Sequence, residues 1–276
     1  MPYIKRNDEL ELFYKDWGRK DAQAIFFHHG WPLSADDWDN QLLFFLNKGY
    51  RVIASDRRGH GRSSQIDTGH DMDHYADDVA HIVSELNLEN VIHVGHSAGG
   101  GQIVRYVAKH GPEKTAKIVL IGAVPPLMVQ TEANPNGLPK ETFDGFQVQL
   151  ATNRAHFFKE LPSGPFYGYN TAPETTDEAV IQNWWRQAMM GGAKAQYDGI
   201  VAFSQTDFTN DLKGIDLPCL IMHGDADQVV PYKTSSVLAH DLVKNSVLKI
   251  YEGLSHGMPT INHDIINADI LTFIEH

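Results

Sequence analysis

Ser97 sits in the run Gly95-His96-Ser97-Ala98-Gly99, after the β-branched stretch Asn90-Val91-Ile92-His93-Val94 and before a helical stretch at 100–109. Strand, tight turn and helix in that order put a serine at the apex of a strained turn, where glycines two residues to either side leave it room. The hydroxyl is then lifted off the sheet, and the next backbone N–H groups aim at the same point. A serine hydroxyl is a poor nucleophile at neutral pH, so it needs a base within hydrogen-bond reach and a partner that orients the base. With 15 histidines in the chain, position rather than residue type must choose that base. His29 follows an early strand, His96 adjoins Ser97 and points away from it, His223 lies within a strand, and His263 belongs to the terminal helix. His256 occupies the glycine-flanked loop Gly253-Leu254-Ser255-His256-Gly257, just after the strand Val247-Leu248-Lys249-Ile250-Tyr251, and is the candidate base.

The candidate acid lies in Leu220-Ile221-Met222-His223-Gly224-Asp225-Ala226-Asp227, a buried strand running into an acidic loop. Asp225 and Asp227 are two residues apart, and either could accept the Nδ1–H of His256. The continuation Gln228-Val229-Val230-Pro231 favours Asp227 as the residue at the turn; Asp225 then reads as a loop-stabilising carboxylate that bonds backbone N–H groups. Acyl transfer also needs two N–H groups aimed at the developing oxyanion. Ala98, after the nucleophile, supplies one, and Trp31, in Ile25-Phe26-Phe27-His28-His29-Gly30-Trp31-Pro32, supplies the other. Proline at 32 biases Trp31 away from the α region and so sets the direction of its carbonyl.

These residues need a scaffold of strands and helices in alternation. Residues 9–17 read as an edge hairpin strand after a polar turn at Asn7 and Asp8, and 22–28 as a second strand. A helix over 36–48, with Ser34 as its cap, leads to a strand at 51–54 and the loop Asp56-Arg57-Arg58-Gly59-His60-Gly61-Arg62-Ser63. An amphipathic helix spans 72–86, with Tyr75, Val79, Ile82, Val83 and Leu86 on one face, and a strand spans 117–124 after the serine helix. Such alternation predicts an α/β fold with a mostly parallel central sheet covered on both faces. From 125 to 214 the alternation stops. Pro125-Pro126 opens this region and Leu161-Pro162-Ser163-Gly164-Pro165 divides it, and Phe143, Phe146, Phe157, Phe158, Phe166, Tyr167, Trp184 and Trp185 make it dense in aromatics. The expectation is a core of residues 1–124 and 215–276 with a helical cap, 125–214, inserted before the Asp-bearing strand.

The chain has 276 residues, 42% hydrophobic and 21% charged, as expected of a soluble globular protein. A formal net charge of −12 argues against nucleic acid or an anionic membrane as partner. No apolar run approaches the roughly 18 residues of a membrane helix, and the first residues lack the apolar core of a signal peptide. The one cysteine, Cys219, lies in an apolar strand and has no intrachain partner, so a cytoplasmic location is expected. Phosphate-loop, zinc-protease and dinucleotide signatures are missing. His28-His29 and the segment 67–74 lack ligand spacing and read as polar loop groups, so no metal and no cofactor is expected.

The segments Phe27-His28-His29-Gly30-Trp31-Pro32-Leu33-Ser34, Asp56-Arg57-Arg58-Gly59-His60-Gly61-Arg62-Ser63, Val94-Gly95-His96-Ser97-Ala98-Gly99-Gly100-Gly101, Pro165-Phe166-Tyr167-Gly168 and His223-Gly224-Asp225-Ala226-Asp227-Gln228-Val229-Val230-Pro231 span most of the chain. Together, with Ser, Asp and His in that order past successive strands, they resemble the cofactor-free haloperoxidases and aryl esterases of the α/β-hydrolase superfamily. The resemblance implies a triad of Ser97, Asp227 and His256 and oxyanion N–H groups on Trp31 and Ala98. The family often has Met or Thr where Ala98 stands. Pro32, Val124, Phe146, Phe166 and Val229 are the candidate pocket residues.

The activity implied is hydrolysis of small esters and some lactones. With hydrogen peroxide and a carboxylic acid, such proteins make peracids that oxidise halide without haem, metal or flavin. The resemblance implies that proline after the oxyanion residue favours peroxide, and that the protein is a homo-oligomer. A lactonase or amidase would use the same residues, and a ligand-binding receptor-like protein could share the fold. A dehalogenase would need a carboxylate where Ser97 stands.

Overall fold

The computed structural model describes residues 2–7 and 9–276. Its strands are β1 (Tyr3–Lys5), β2 (Glu11–Trp17), β3 (Ala24–His28), β4 (Arg51–Ser55), β5 (Val91–His96), β6 (Thr115–Ile121), β7 (Cys219–Gly224) and β8 (Ser246–Tyr251). They form one sheet in the order β1-β2-β4-β3-β5-β6-β7-β8, in which every pairing from β4 to β8 is parallel and β2 runs antiparallel to both neighbours. The helices that alternate with these strands are α1 (Asp39–Asn47), α2 (Met72–Glu85) and α3 (Ala98–His110) before β7, and α8 (Ser236–Leu242), α9 (Met258–Ile261) and α10 (His263–Glu275) after it. Between β6 and β7 come α4 (Lys140–Ser163), α5 (Glu178–Met190), α6 (Ala193–Gln205) and α7 (Thr209–Lys213), with no strand among them.

Side chains alternate across each strand, so a run that is apolar throughout supplies two cores. Phe26, Ile53, Ile118 and Ile221 face α2, α3 and the inserted helices. Their neighbours Ile25, Phe27, Val52, Val119 and Leu220 face Trp38 and the apolar sides of α1 and α10. No helix among the described residues is long and apolar enough to cross a membrane.

Three local expectations change. The strand expected at the edge, 9–17, is β2, second in the sheet; the edge is the three-residue β1, whose Ile4 is buried beside Leu10 and Leu12. Of the polar turn before it, Asp8 lies outside the described residues, while Asn7 Oδ1 accepts the N–H groups of Glu9 and Leu10, both at 2.9 Å. The helix expected at 36–48 is a 3-10 turn, Ala35–Trp38, followed by α1; the Asp56 carboxylate takes the Ala35 N–H at 2.7 Å and pins that first turn. The strand expected to reach 124 stops at Ile121, because Gly122 turns the chain with a φ of +50°. A Cβ at Gly122 would lie 3.3 Å from His256 Nδ1 and 3.4 Å from Asp227 Oδ2, so the turn lets the backbone approach the candidate site. His28 ends β3, as the strand expected at 22–28 requires, and its ring bonds His93 inside the core at 2.9 Å.

Candidate active site

Ser97 leaves β5 with φ 55° and ψ −121°, a region that L residues occupy only when surrounding structure holds them there. Its N–H donates to Ile121 O on β6 at 2.9 Å, and its carbonyl accepts from Gly100 and Val124 at 3.0 and 3.3 Å. A side chain at Gly99 would strike the carbonyl oxygen of His28, so this glycine lets α3 start against β3. The elbow is thereby clamped between β3 and β6 with the serine at its tip.

Asp227 follows β7 and is almost fully buried. Its Oδ1 accepts the N–H groups of Val229 and Val230, each at 2.8 Å, so the carboxylate builds its own turn. Its Oδ2 accepts His256 Nδ1–H at 2.7 Å. Of the two carboxylates the sequence left open, Asp227 is therefore the one bonded to His256. Asp225 accepts the Gly253 N–H at 2.7 Å and ties the two loops together. With Nδ1 committed as donor, the neutral His256 ring keeps Nε2 as its acceptor. Ser97 and His256 open onto the same cavity, with no direct hydrogen bond between them; catalytic hydrogen bonds commonly tighten only once substrate is bound.

A second imidazole shares the acid. His223 Nε2 lies 3.0 Å from Asp227 Oδ2 and 2.9 Å from Val230 O, two acceptors, so it carries the proton; its Nδ1 then accepts from Ser236 Oγ at 2.5 Å. Burial alone would push the Asp227 carboxyl up. Electrostatic attraction to His256 and the hydrogen bonds from both imidazoles outweigh it and hold the group well below the usual carboxylate range. His96 donates from Nε2 to the His256 carbonyl at 2.9 Å and packs on the His256 ring with centroids 4.6 Å apart. Asp37 is a further buried carboxyl in electrostatic reach of His256. Burial pushes it up to about 7 against the opposing pull of His256 and a hydrogen bond from Thr260.

The candidate oxyanion residue Trp31 lies on the loop after β3. Among the described residues neither the Trp31 nor the Ala98 N–H has a backbone acceptor; Ala98 is the first residue of α3, where such groups are free. The peptide that carries the Trp31 N–H is held from behind. His29 Nε2 accepts the Arg57 N–H at 3.0 Å, and His29 Nδ1–H therefore donates to Gly30 O at 2.8 Å. The buried Arg57 guanidinium donates to His29 O at 2.8 Å and to Gln102 Oε1 at 3.1 Å. These supports carry no signal in the sequence. Nothing in their spacing marks them, because the partners meet only across the sheet.

The cavity measures about 240 Å³. Val124, Phe146, Phe166 and Val229 line it, with Trp31 beside them. Pro32 does not. It is buried behind the wall, in a turn closed by Leu33 N–H to Gly30 O at 3.0 Å, while the Trp31 indole lines the cavity; the Trp31–Pro32 peptide bond is cis. Met128, Phe157, Trp184 and Phe203 complete much of the lining; Phe157 and Trp184 belong to the aromatics noted at 125–214, but none of the four was a candidate pocket residue, since aromatic density alone does not tell a core face from a cavity face. The segment between β6 and β7 reaches the candidate site at two points. Phe166 sets its ring edge-on to His256 at 5.0 Å and its carbonyl accepts the Gly257 N–H at 2.8 Å, while the Trp31 indole N–H donates to Gln196 O at 3.0 Å. A larger cavity of about 640 Å³ opens on the other side of the His256 loop, beside Tyr169, Thr171 and Asn262, and includes neither Ser97 nor His256.

The profile of the family described as "alpha/beta hydrolase fold" matches residues 23–257. The chain belongs to this family. Within the α/β hydrolases it is 62% identical, over 275 residues covering 100% of both chains, to a non-heme haloperoxidase of Rhodococcus erythropolis. It is 60% identical, over 99% of both chains, to a bifunctional esterase/perhydrolase of Acinetobacter calcoaceticus. A crystal structure of a bromoperoxidase from Bacillus anthracis superposes with a TM-score of 0.93 at 34% identity, covering 97% of this chain and 96% of that one.

Proposed function

We propose that this α/β hydrolase cleaves small carboxylic esters through an acyl-enzyme on Ser97 and passes the same acyl group to hydrogen peroxide, giving a peracid that oxidises halide. The observation that carries the reading is the strained Ser97 facing a small apolar cavity with His256, whose ring is held by Asp227 at 2.7 Å. In this reading His256 Nε2 takes the Ser97 proton as the oxygen attacks the ester carbonyl. Asp227 keeps the imidazole in the right tautomer and stabilises its charged form. The N–H groups of Trp31 and Ala98 receive the oxyanion, and the His29–Arg57 support keeps the first of them aimed. His256 then returns the proton to the leaving alcohol and activates water or hydrogen peroxide against the acyl carbonyl.

The mostly apolar lining supports small, uncharged acyl groups, and the relatives that carry haloperoxidase and esterase/perhydrolase names support the two outcomes. Residues 125–214 act as a cap over the site in this reading, since Phe146, Phe166 and Trp184 wall the cavity from that segment. The protein is a homo-oligomer of the cytoplasm, a location with which the free buried thiol of Cys219 agrees.

The test is phenyl acetate hydrolysis, together with peracetic acid formation from acetate and hydrogen peroxide. Ser97→Ala is expected to lose both by at least about 10⁴-fold while staying folded. Retention of either activity would overturn the shared acyl-enzyme. Pro32→Leu is expected to lower the ratio of peracid formation to hydrolysis by about fivefold to tenfold, the worth of one hydrogen bond from the second O–H of peroxide to the Trp31 carbonyl, whose direction Pro32 sets. Because Pro32 stands behind the wall, that effect must act through the Trp31 backbone, and an unchanged ratio would remove it.

A further inference from the structure

Met128 shares the cavity with Ser97 and His256, yet is only 7% exposed. Its carbonyl accepts the Leu138 N–H at 2.8 Å, which fixes the chain there. The other methionines among the described residues lie elsewhere. Met72, Met222 and Met258 are sealed in the two cores, and Met189 and Met190 are partly exposed in α5. Met128 is thus shielded from bulk solution but open to whatever is made on Ser97. A thioether is a soft nucleophile that peroxy compounds convert to the sulfoxide, and the change puts a strong dipole on an apolar wall.

We propose that Met128 is a turnover-dependent oxidation site, at which the enzyme's own peracid is intercepted before it leaves. The inference rests on the peracid-forming reading above. In the step, the Met128 Sδ lone pair attacks the distal peroxy oxygen of a peroxycarboxylic acid. The S–O bond forms and the O–O bond breaks. The peroxy proton passes to the departing carboxylate, which leaves as the carboxylic acid. Sulfur is oxidised by two electrons and the peroxy oxygen is reduced by two. The sulfoxide polarises the acyl pocket, so ester turnover declines in proportion to peracid made rather than to time in peroxide.

The experiment incubates the protein with acetate and hydrogen peroxide, measures peracetic acid in solution, and maps 16-Da additions by peptide mass spectrometry. The controls are hydrogen peroxide without acetate, and Ser97→Ala given external peracetic acid at the concentration the active enzyme reaches. Met128 sulfoxide is expected to exceed both controls at least about tenfold, while Met189 and Met190 oxidise equally in the active enzyme and in Ser97→Ala with matched peracid. Peracid accumulation with Met128 no more oxidised than in that control, or with oxidation moved to Trp31 or Trp184, would overturn the proposal and leave the function standing. No peracid at all would overturn the perhydrolase reading and the proposal with it. In Met128→Leu, esterase activity normalised to its own starting value should survive at least about tenfold more peracid turnovers. An unchanged decline would refute the link between this sulfoxide and inactivation.

Discussion

On the sheet side of the cavity, Ser97, Asp227 and His256 lie within five residues of the ends of β5, β7 and β8, each in a turn fastened by hydrogen bonds. On the opposite side the wall is drawn from residues as far apart as Val124 and Phe203, and its contacts are mostly apolar. The two sides are held by different forces. Hydrogen bonds to a charged acceptor are directional and lose their value with small displacements. Apolar burial is nearly indifferent to direction and follows area. Chemistry that needs a tautomer and a trajectory belongs on the first side, and selection among acyl groups of different size can be left to the second.

The sharpest way to break this contrast is to disturb one atom on the sheet side. Asp227→Asn should lower kcat for phenyl acetate by about 10⁴-fold, because the wrong imidazole tautomer is then presented to Ser97. Asp225→Asn, two residues away, keeps an acceptor for the Gly253 N–H and should stay within about threefold. Equal losses in steady-state kinetics would show that the loop as a whole, rather than one carboxylate, sets the rate.

Acid should attack the same side next. His28, His29, His60 and His93 are buried there, whereas His156 of the inserted segment is exposed. Burial pushes His93 down to about 3; burial together with the Arg57 charge does the same to His60, and holds His29 well below its ordinary value. The unfolded chain binds these protons near pH 6.5 and the folded chain does not. The stability they contribute is therefore complete above about pH 6.5 and is lost as pH falls toward the folded values. His60 alone accounts for about 2 kcal/mol between pH 6.5 and 5. The urea midpoint should drop between pH 7 and 5, and less so in His60→Gln. A midpoint flat across that range would mean that these imidazoles titrate freely.

The smallest effect belongs to the helix side. Phe146→Ala should shift preference toward hexanoyl over acetyl phenyl esters by about tenfold, while kcat for the acetate stays within about threefold. A collapse of acetate turnover would mean that the apolar wall positions the triad and that the two sides are not separable.

Much of the sheet side was legible in the chain because its signals are local. A glycine two residues either side of a serine, a strand before it and a helix after it need no tertiary information to be read. The choice between Asp225 and Asp227 leaned on the turn residues that follow, and the structure bonds Asp227 to His256 because its other oxygen is already fixed by the N–H groups of Val229 and Val230. The inserted segment was legible only as helical and aromatic. Phe143 and Phe146 are three residues apart on one helix, yet the first is core and the second faces the cavity, a difference set by what packs against each.

By its own pattern the sequence determined the order of strands and helices, the two-faced apolar sheet, the serine elbow and the order of Ser97, Asp227 and His256 past successive strands. Those are consequences of spacing along one chain, since periodicity and turn chemistry act over a few residues. Only the tertiary structure decided that β1 rather than β2 is the edge, that Pro32 stands behind the wall, and that Arg57 and His29 aim the Trp31 peptide. It alone brought His223 onto the same carboxylate oxygen as His256. Each of these depends on side chains that approach across strands and loops, where the hydrogen-bonding needs of buried groups are met by whichever partner the packing brings within reach.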